Sequence, residues 1–503
     1  MARSRTSSAG ELLVEIRRDD PAPLHRQLEL ELRGAIRSGR LAAGAGLPSS
    51  RALADQLGLS RGVVVEAYEQ LVAEGYLTSR PGGATRVARN VSASPSDPSK
   101  PGRPRPPMPA GLDPLRIDFG YGRPDVTQFP RQSWLKSVRK VMNEAPSDRF
   151  GYLDLRGAEE LREALASYLN RVRGTCAIPD DIVVCNGFAQ ALRLTVQVVK
   201  DRGGRRIAGE DPGFQDLRLA AIDHGLETVP VPVDEAGLDV AALARTPVDA
   251  VVVTPAHHFP TGAVMSAERR AALVAWAKDR DALILEDDYD AEYRYDREPI
   301  GALHGLDPEH VVYAGSASKT LAPGLRLGWM LVPPGLVEAI ARKKEQVDRG
   351  SPSLEQLAFA DFLGRGEFDL HLRRMRPIYR ARRDILLDAI RMFLPAVRPV
   401  GASAGLHVFA WLPPGVDEAA VVRRAAAAGV GVYGLSRYGY AHPDAPGGLI
   451  FGYGAVNERE IVEGVRLVAD AIAVELERAP GTDAATAVRG DRIPSSALEE
   501  VAP

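Results

Sequence analysis

The sequence predicts a multidomain chain: a small helical head with a β-hairpin, then a large α/β body built on a doubly wound, mostly parallel sheet. Three observations predict it. Residues 21–90 carry an apolar stripe at helical spacing, followed by two short helix signatures and a hairpin. Residues 91–115, "VSASPSDPSKPGRPRPPMPAGLDPL", hold too few large apolar side chains to bury a core and form an extended linker. From about 116 to 478, short apolar runs ("DIVVCN", "AVVVTPA", "ALILEDD", "HVVYAGS") alternate with helical patterns. Such runs are strands buried on both faces by helices.

Bulk composition agrees. A chain of 503 residues is too long for one core, and 45% hydrophobic with 26% charged residues is ordinary for a globular protein. No run approaches the roughly 18 apolar residues of a membrane span, and the N-terminus has no apolar signal core, so a cytoplasmic protein is expected. Cys176 and Cys185 make neither a disulfide framework nor a metal pattern, and no metal site is expected. Residues 1–110 carry 16 Lys and Arg against 11 Asp and Glu, a balance of +5 within a chain of net charge −3. A basic head on an acidic body suits a polyanionic partner. Residues 1–20 are expected to be flexible, and the small, polar stretch from 479 to 503 a disordered tail.

In the head, Leu24, Leu28, Leu32 and Ile36 form a helical stripe. Ser49 or Ser50 caps a helix running to about Leu57, and Gly58 breaks it. Ser60 caps a second helix to about Glu74, which Gly75 stops. Two helices on a glycine turn make a helix-turn-helix, whose second helix enters the major groove by its N-terminal end. Arg61 lies there, with the guanidinium fork that pairs with guanine. "YLTSRPGGATRV" then forms a hairpin wing, with Arg80 and Arg86 flanking its Pro81–Gly83 tip.

In the body, Lys319 sits in "GSASKTLAPGLRLGW", after a strand ending in small residues and seven residues before Arg326. A lysine amine forms a Schiff base with an aldehyde cofactor. Ser316, Ser318 and Arg326 supply part of a phosphate cradle. The rest comes from "CNGFAQAL", where the backbone N–H groups of Gly187, Phe188 and Ala189 open a helix. "ALILEDDYDAEYRYD" brings carboxylates to the end of a buried strand, where α/β sheets bind ligands. Asp287 is assigned to the pyridine nitrogen, Tyr289 to the phenolate oxygen, and Phe214 of "EDPGFQDLR" to the ring face.

These residues carry two resemblances. "LPSSRALADQLGLSRGVVVEAYEQLVAEGYL" resembles the winged helix-turn-helix of the GntR regulators. It implies contacts to double-stranded promoter DNA from Ser50, Arg51, Ser60, Arg61 and Gly82. Gly62 and Val63 stand where that family usually has Asn or Thr, and Thr. The body resembles the fold-type I aminotransferases, which use pyridoxal 5'-phosphate. "EDPGF", "TPAHHFPTG", "DDYD" and "SASKTLAPGLRLG" follow in family order. "FGYLDLRG" resembles the segment whose tyrosine, here Tyr152, reaches the phosphate of the neighbouring subunit, implying a homodimer.

Together, head, linker and body resemble the MocR/GabR-type transcription regulators, with "EDDYDAEYRYD" and "SPSLEQLAFADFLGRGEFDLHLRRMR" as their marks. The resemblance implies a regulator that senses pyridoxal 5'-phosphate, or an amine reacting with it, and controls vitamin B6 or amine and amino-acid genes. Two departures bear on catalysis. Phe259 stands where aminotransferases have the asparagine that supports the phenolate, and Ile450 where they have the arginine that binds the substrate α-carboxylate. A carboxylate without that bidentate partner binds poorly. Arg437 is the candidate replacement, with His258 as a second effector contact. The other reading is an amino-acid aminotransferase with an accessory DNA-binding head.

Overall fold

The computed structural model describes residues 14, 16–79, 83–90, 115–295, 300–439 and 446–477. Gly82 and Arg80 of the wing, the expected linker up to 114, the tail from 479 and most of the N-terminal arm lie outside them. The described residues belong to two units that divide between Gly111 and Leu112.

The head contains α1 (Leu24–Arg37), α2 (Ser50–Leu57), α3 (Arg61–Ala73) and the wing strands β1 (Leu77–Thr78) and β2 (Arg86–Val87). Ser49, not Ser50, caps α2, its hydroxyl accepting from Ala52 N–H at 3.2 Å. Ser60 caps α3 by accepting from Val63 N–H. Gly58 ends α2 at φ 62°, a left-handed conformation that costs a side-chain-bearing residue energy. The stripe predicted for α1 packs inward through Leu28, Leu32 and Ile36 against Leu53 of α2 and Val64 and Leu71 of α3. Leu77 pairs with Val87 across the antiparallel wing, and both face that core.

The body opens with β3 (Ile117–Asp118), α4 (Arg131–Glu144) and α5 (Glu159–Arg173). Next come β4 (Ile182–Cys185), α6 (Phe188–Asp201), β5 (Arg206–Asp211), α7 (Asp216–Asp223), β6 (Glu227–Asp234) and β7 (Gly237–Leu238). α8 (Val240–Ala244), β8 (Ala250–Val253), α9 (Ala267–Arg280), β9 (Leu283–Asp288), β10 (Val311–Ser316) and β11 (Gly328–Leu331) follow. After α10 (Val337–Asp348), α11 (Ser353–Gly364) and α12 (Glu367–Phe393) come β12 (Arg398–Val400), β13 (His407–Trp411) and α13 (Glu418–Ala427). The last described elements are β14 (Val430–Gly431), β15 (Tyr433–Gly434), β16 (Gly448–Gly452) and α14 (Glu458–Leu476).

Eight strands form the large sheet in the order β4-β11-β10-β9-β8-β5-β6-β7. β10, β9, β8, β5 and β6 run parallel, β11 runs against both its neighbours, and β7 is the antiparallel return of β6. One face is covered by α6 and α10 around Val183, Leu192 and Met330, and the other face packs α5, α11 and α12 around Trp329, Phe359 and Tyr379. A layer covered on both sides leaves strand ends as the place for chemistry. The smaller C-terminal part is a four-stranded sheet, β12-β13-β16-β15. β3 pairs in parallel with β14, so the body's first strand joins its last part.

Candidate cofactor pocket and nucleic-acid interface

At the ends of the parallel strands lies a cavity of about 200 Å³. Lys319, Ser316 and Ser318 enter it from the turn after β10, and Asp287 and Tyr289 from the end of β9. Arg326 enters from the segment before β11, Phe214 from that before α7. Gly187, Phe188 and Ala189 close it with the first turn of α6. Ten sequence-predicted residues thus share one cavity. Tyr152 is not among them; it is 92% exposed on the body surface.

The polar end is built from backbone. Gly187 has φ 92°, and a Cβ at Gly328 would stand 2.6 Å from its Cα, so both positions need glycine. This close approach presents the opening N–H groups of α6, which have no partner within the helix. Arg326 lies beside them, donating to Asn186 O. Ser318 N–H donates to Ser316 Oγ at 3.4 Å. The turn is braced from below: Asn186 Nδ2 and Gln190 Nε2 donate to Asp348, which the fully buried Lys344 also binds at 2.7 Å. Free N–H groups at a helix N-terminus beside a guanidinium make an anion seat.

At the other end, Asp287 is buried and its carboxylate forms no hydrogen bond among the described residues. Burial, then Asp288, push its pKa well above the usual range, while Lys319 opposes the shift. A protonated ring nitrogen is the partner this carboxylate lacks. Burial lowers the pKa of Lys319, against the pull of Asp287 and Asp290, which favours the neutral, nucleophilic amine. Its Nζ lies 3.0 Å from where a Cβ on Gly122 would stand, so only a glycine leaves the amine this room. The residues fit pyridoxal 5'-phosphate: an amine, an anion seat, a bare carboxylate and a phenol.

Sequence reasoning missed the support behind Tyr289. Its hydroxyl lies 3.1 Å from His257 Nδ1, which also contacts Asp290 at 3.1 and 3.2 Å. His257 Nε2 faces Gly401 O at 3.3 Å. His407 lines the cavity 4.8 Å from the His257 ring, and burial brings its pKa down to about 3. One ring nitrogen each of His257 and His407 and one carboxylate oxygen of Asp290 lie within 4.8 Å of one another. Asp290 stands in the quoted D-D-Y-D run; only the fold turns it toward His257, 33 residues away.

The effector candidates sit elsewhere. His258 is buried between Thr261 Oγ1 at 2.7 Å and Pro212 O at 3.0 Å, and does not line the cavity. Burial lowers its pKa to about 3, so it stays neutral. Arg437 is exposed on the short turn before Tyr438 and likewise does not line the cavity. Phe259 does line it, with Tyr121 and Tyr438 rings at 4.8 and 5.1 Å. Ile450 is fully buried with Phe259, Phe409, Leu435 and Tyr438 in one apolar cluster.

In the head, Ser50 and Arg51 open α2, and Ser60 and Arg61 open α3. Arg51 and Arg61 are exposed and form no ion pair among the described residues. Two helix N-termini with free guanidinium groups suit phosphate and base edges. Among the described residues no helix is long and apolar enough to cross a membrane.

Known proteins match both modules. Residues 24–87 match the gntR family of bacterial regulatory proteins, and residues 116–435 match class I and II aminotransferases. The probable rhizopine catabolism regulatory protein MocR of Rhizobium meliloti is 33% identical over 490 residues, 94% of this chain and 99% of that protein. The pyridoxine biosynthesis transcriptional regulator PdxR of Corynebacterium glutamicum is 32% identical, covering 92% of this chain and 99% of the relative. Among solved structures, the multiple substrate aminotransferase of Thermococcus profundus superposes with a TM-score of 0.66 at 28% identity, covering 72% of this chain and 92% of that one. A GntR head, an aminotransferase-like body and relatives aligned along nearly the whole chain show that the protein belongs to the MocR-type GntR transcription regulators.

Proposed function

We propose that this regulator holds pyridoxal 5'-phosphate at Lys319 and reports its presence, or that of an amine reacting with it, to promoter DNA. The body's fold family is dependent on that cofactor. When bound, it supplies an aldehyde that condenses with amines and a ring that draws electrons from them. Arg326, Ser316, Ser318 and the first turn of α6 bind the phosphate, Asp287 the ring nitrogen, Tyr289 the phenolate oxygen, and Phe214 packs on the ring. Tyr152, exposed on one copy, reaches the phosphate of a second in a cytoplasmic homodimer. The head contacts DNA through Ser50, Arg51, Ser60, Arg61 and Gly82.

One observation carries the sensing role over catalysis. Ten of the cofactor-binding candidates share one cavity, yet Phe259 and Ile450, at the positions where the resemblance places the phenolate and carboxylate partners, belong to one apolar cluster. An unpaired carboxylate there loses its hydration without compensation. This favours the cofactor itself as effector, and a role near vitamin B6 genes like that named for the Corynebacterium relative. For an amine or amino-acid effector, Arg437 is the cation on the turn leading into Tyr438, with His258 behind the wall.

The gathering of those ten residues favours one other reading, an active amino-acid aminotransferase. Incubation with amino donors and keto acids separates the two. The proposal expects no sustained cycling; turnover at about 1 per second or faster would overturn it.

A further inference from the structure

The segment "DLHLRRMR" of α12 is not used by the cofactor pocket. It places Asp369, Leu372, Arg373 and Arg376 on one helix face, at i, i+3, i+4 and i+7. That face borders a second cavity of about 510 Å³. Tyr168, Arg171 and Arg173 from the end of α5 form the opposite wall. No residue lines both this cavity and the cofactor pocket.

Its charge is unbalanced. Among the described lining residues, four arginines stand against two carboxylates, Asp369 and Glu292. Asp369 is already paired with Arg171 at 2.7 Å. Burial, then Asp288, raise the pKa of Glu292, against the pull of Arg173. Arg373 and Arg376 form no ion pair among the described residues; Arg376 Nε donates only to Glu292 O, at 3.0 Å. Two further donors are buried and bare. Arg173, 2% exposed, donates Nε to Asp288 and Nη1 to Ile300 O, but its Nη2 has no partner among the described residues. The Tyr168 hydroxyl, on a residue 4% exposed, has none among them either. Buried donors without acceptors are uncommon in folded proteins. Here two of them and two unpaired guanidinium groups share one concave site of small-molecule size.

We propose that this cavity is a second ligand site of the body, taking a small dianion of the phosphate or dicarboxylate type. Arg373 and Arg376 bind the anion from the α12 side, and the Arg173 and Tyr168 side chains line the α5 side. Arg173 also holds Asp288, the residue after Asp287, which connects the site to the strand that carries the cofactor carboxylate.

The full-length chain, preincubated with pyridoxal 5'-phosphate, is titrated calorimetrically with inorganic phosphate and, separately, with succinate. The expected result is saturable binding of at least one at or below about 1 mM. The stronger arm tells a phosphate ligand from a dicarboxylate. Arg373→Ala/Arg376→Ala weakens that binding at least about tenfold with an unchanged circular dichroism spectrum, and Tyr168→Phe weakens it less. Binding is the same whether the cofactor pocket is filled or left empty. Three results would overturn the proposal: no saturable binding of either anion, undiminished binding in the double variant, or binding seen only while the cofactor pocket is empty.

Discussion

Replacing Lys319 by alanine leaves the chain without the visible absorbance that wild type acquires with pyridoxal 5'-phosphate. Lys319 is the lysine that lines the cavity, and its amine feels the Asp287 carboxylate and lies close to Gly122. Alanine removes the nucleophile but leaves the anion seat at Arg326 and α6, so only weak binding persists, which gel filtration strips away. The test is an absorbance spectrum after gel filtration. A yellow variant would remove Lys319 from the role. The pH dependence has a defined sign. A lowered amine pKa enlarges the neutral fraction near pH 7, so wild-type colour develops faster as pH rises, through a midpoint below 10.5.

Arg61→Ala weakens specific operator binding by roughly 1–3 kcal/mol, about 5–150-fold. Arg61 is the first residue of α3, directly after the Ser60 cap, exposed and without an ion pair among the described residues. Its guanidinium is therefore free to fork onto a guanine edge. Binding to scrambled DNA changes less, because phosphate contacts elsewhere carry that affinity. Gel shifts on operator and scrambled duplexes measure both. Equal affinities for wild type and variant would exclude Arg61 from base readout.

Local chemistry made much of the molecule legible in sequence. Gly58 sets the end of α2 through its own backbone, and the Ser60 cap needs only the next three residues. The strands β4, β8, β9 and β10 are continuous apolar runs and were visible as such. The pocket residues Lys319, Asp287, Arg326 and Gly187 sit at strand ends, which an α/β pattern fixes in advance. Long-range partners were not legible. Sequence left Ser49 and Ser50 equal as caps until the backbone of α2 selected Ser49. His257 meets Asp290 and His407 only because β9 and β13 bring distant segments together. The arginine cavity joins α5 to α12 across some two hundred residues, for the same reason. The antiparallel β11 inside a parallel sheet has no signal of its own, since a buried strand reads alike in either direction.

The central claim is that cofactor chemistry at Lys319 is reported to DNA. A nuclease footprint on the DNA upstream of the protein's own gene, with and without pyridoxal 5'-phosphate, tests it most directly. The cofactor is expected to change the protection pattern or shift affinity by about 5–150-fold, as coupled sites do, and Lys319→Ala to lose this response while still binding DNA. Identical footprints and affinities with and without saturating cofactor, in wild-type protein that has taken up the cofactor's colour, would contradict it.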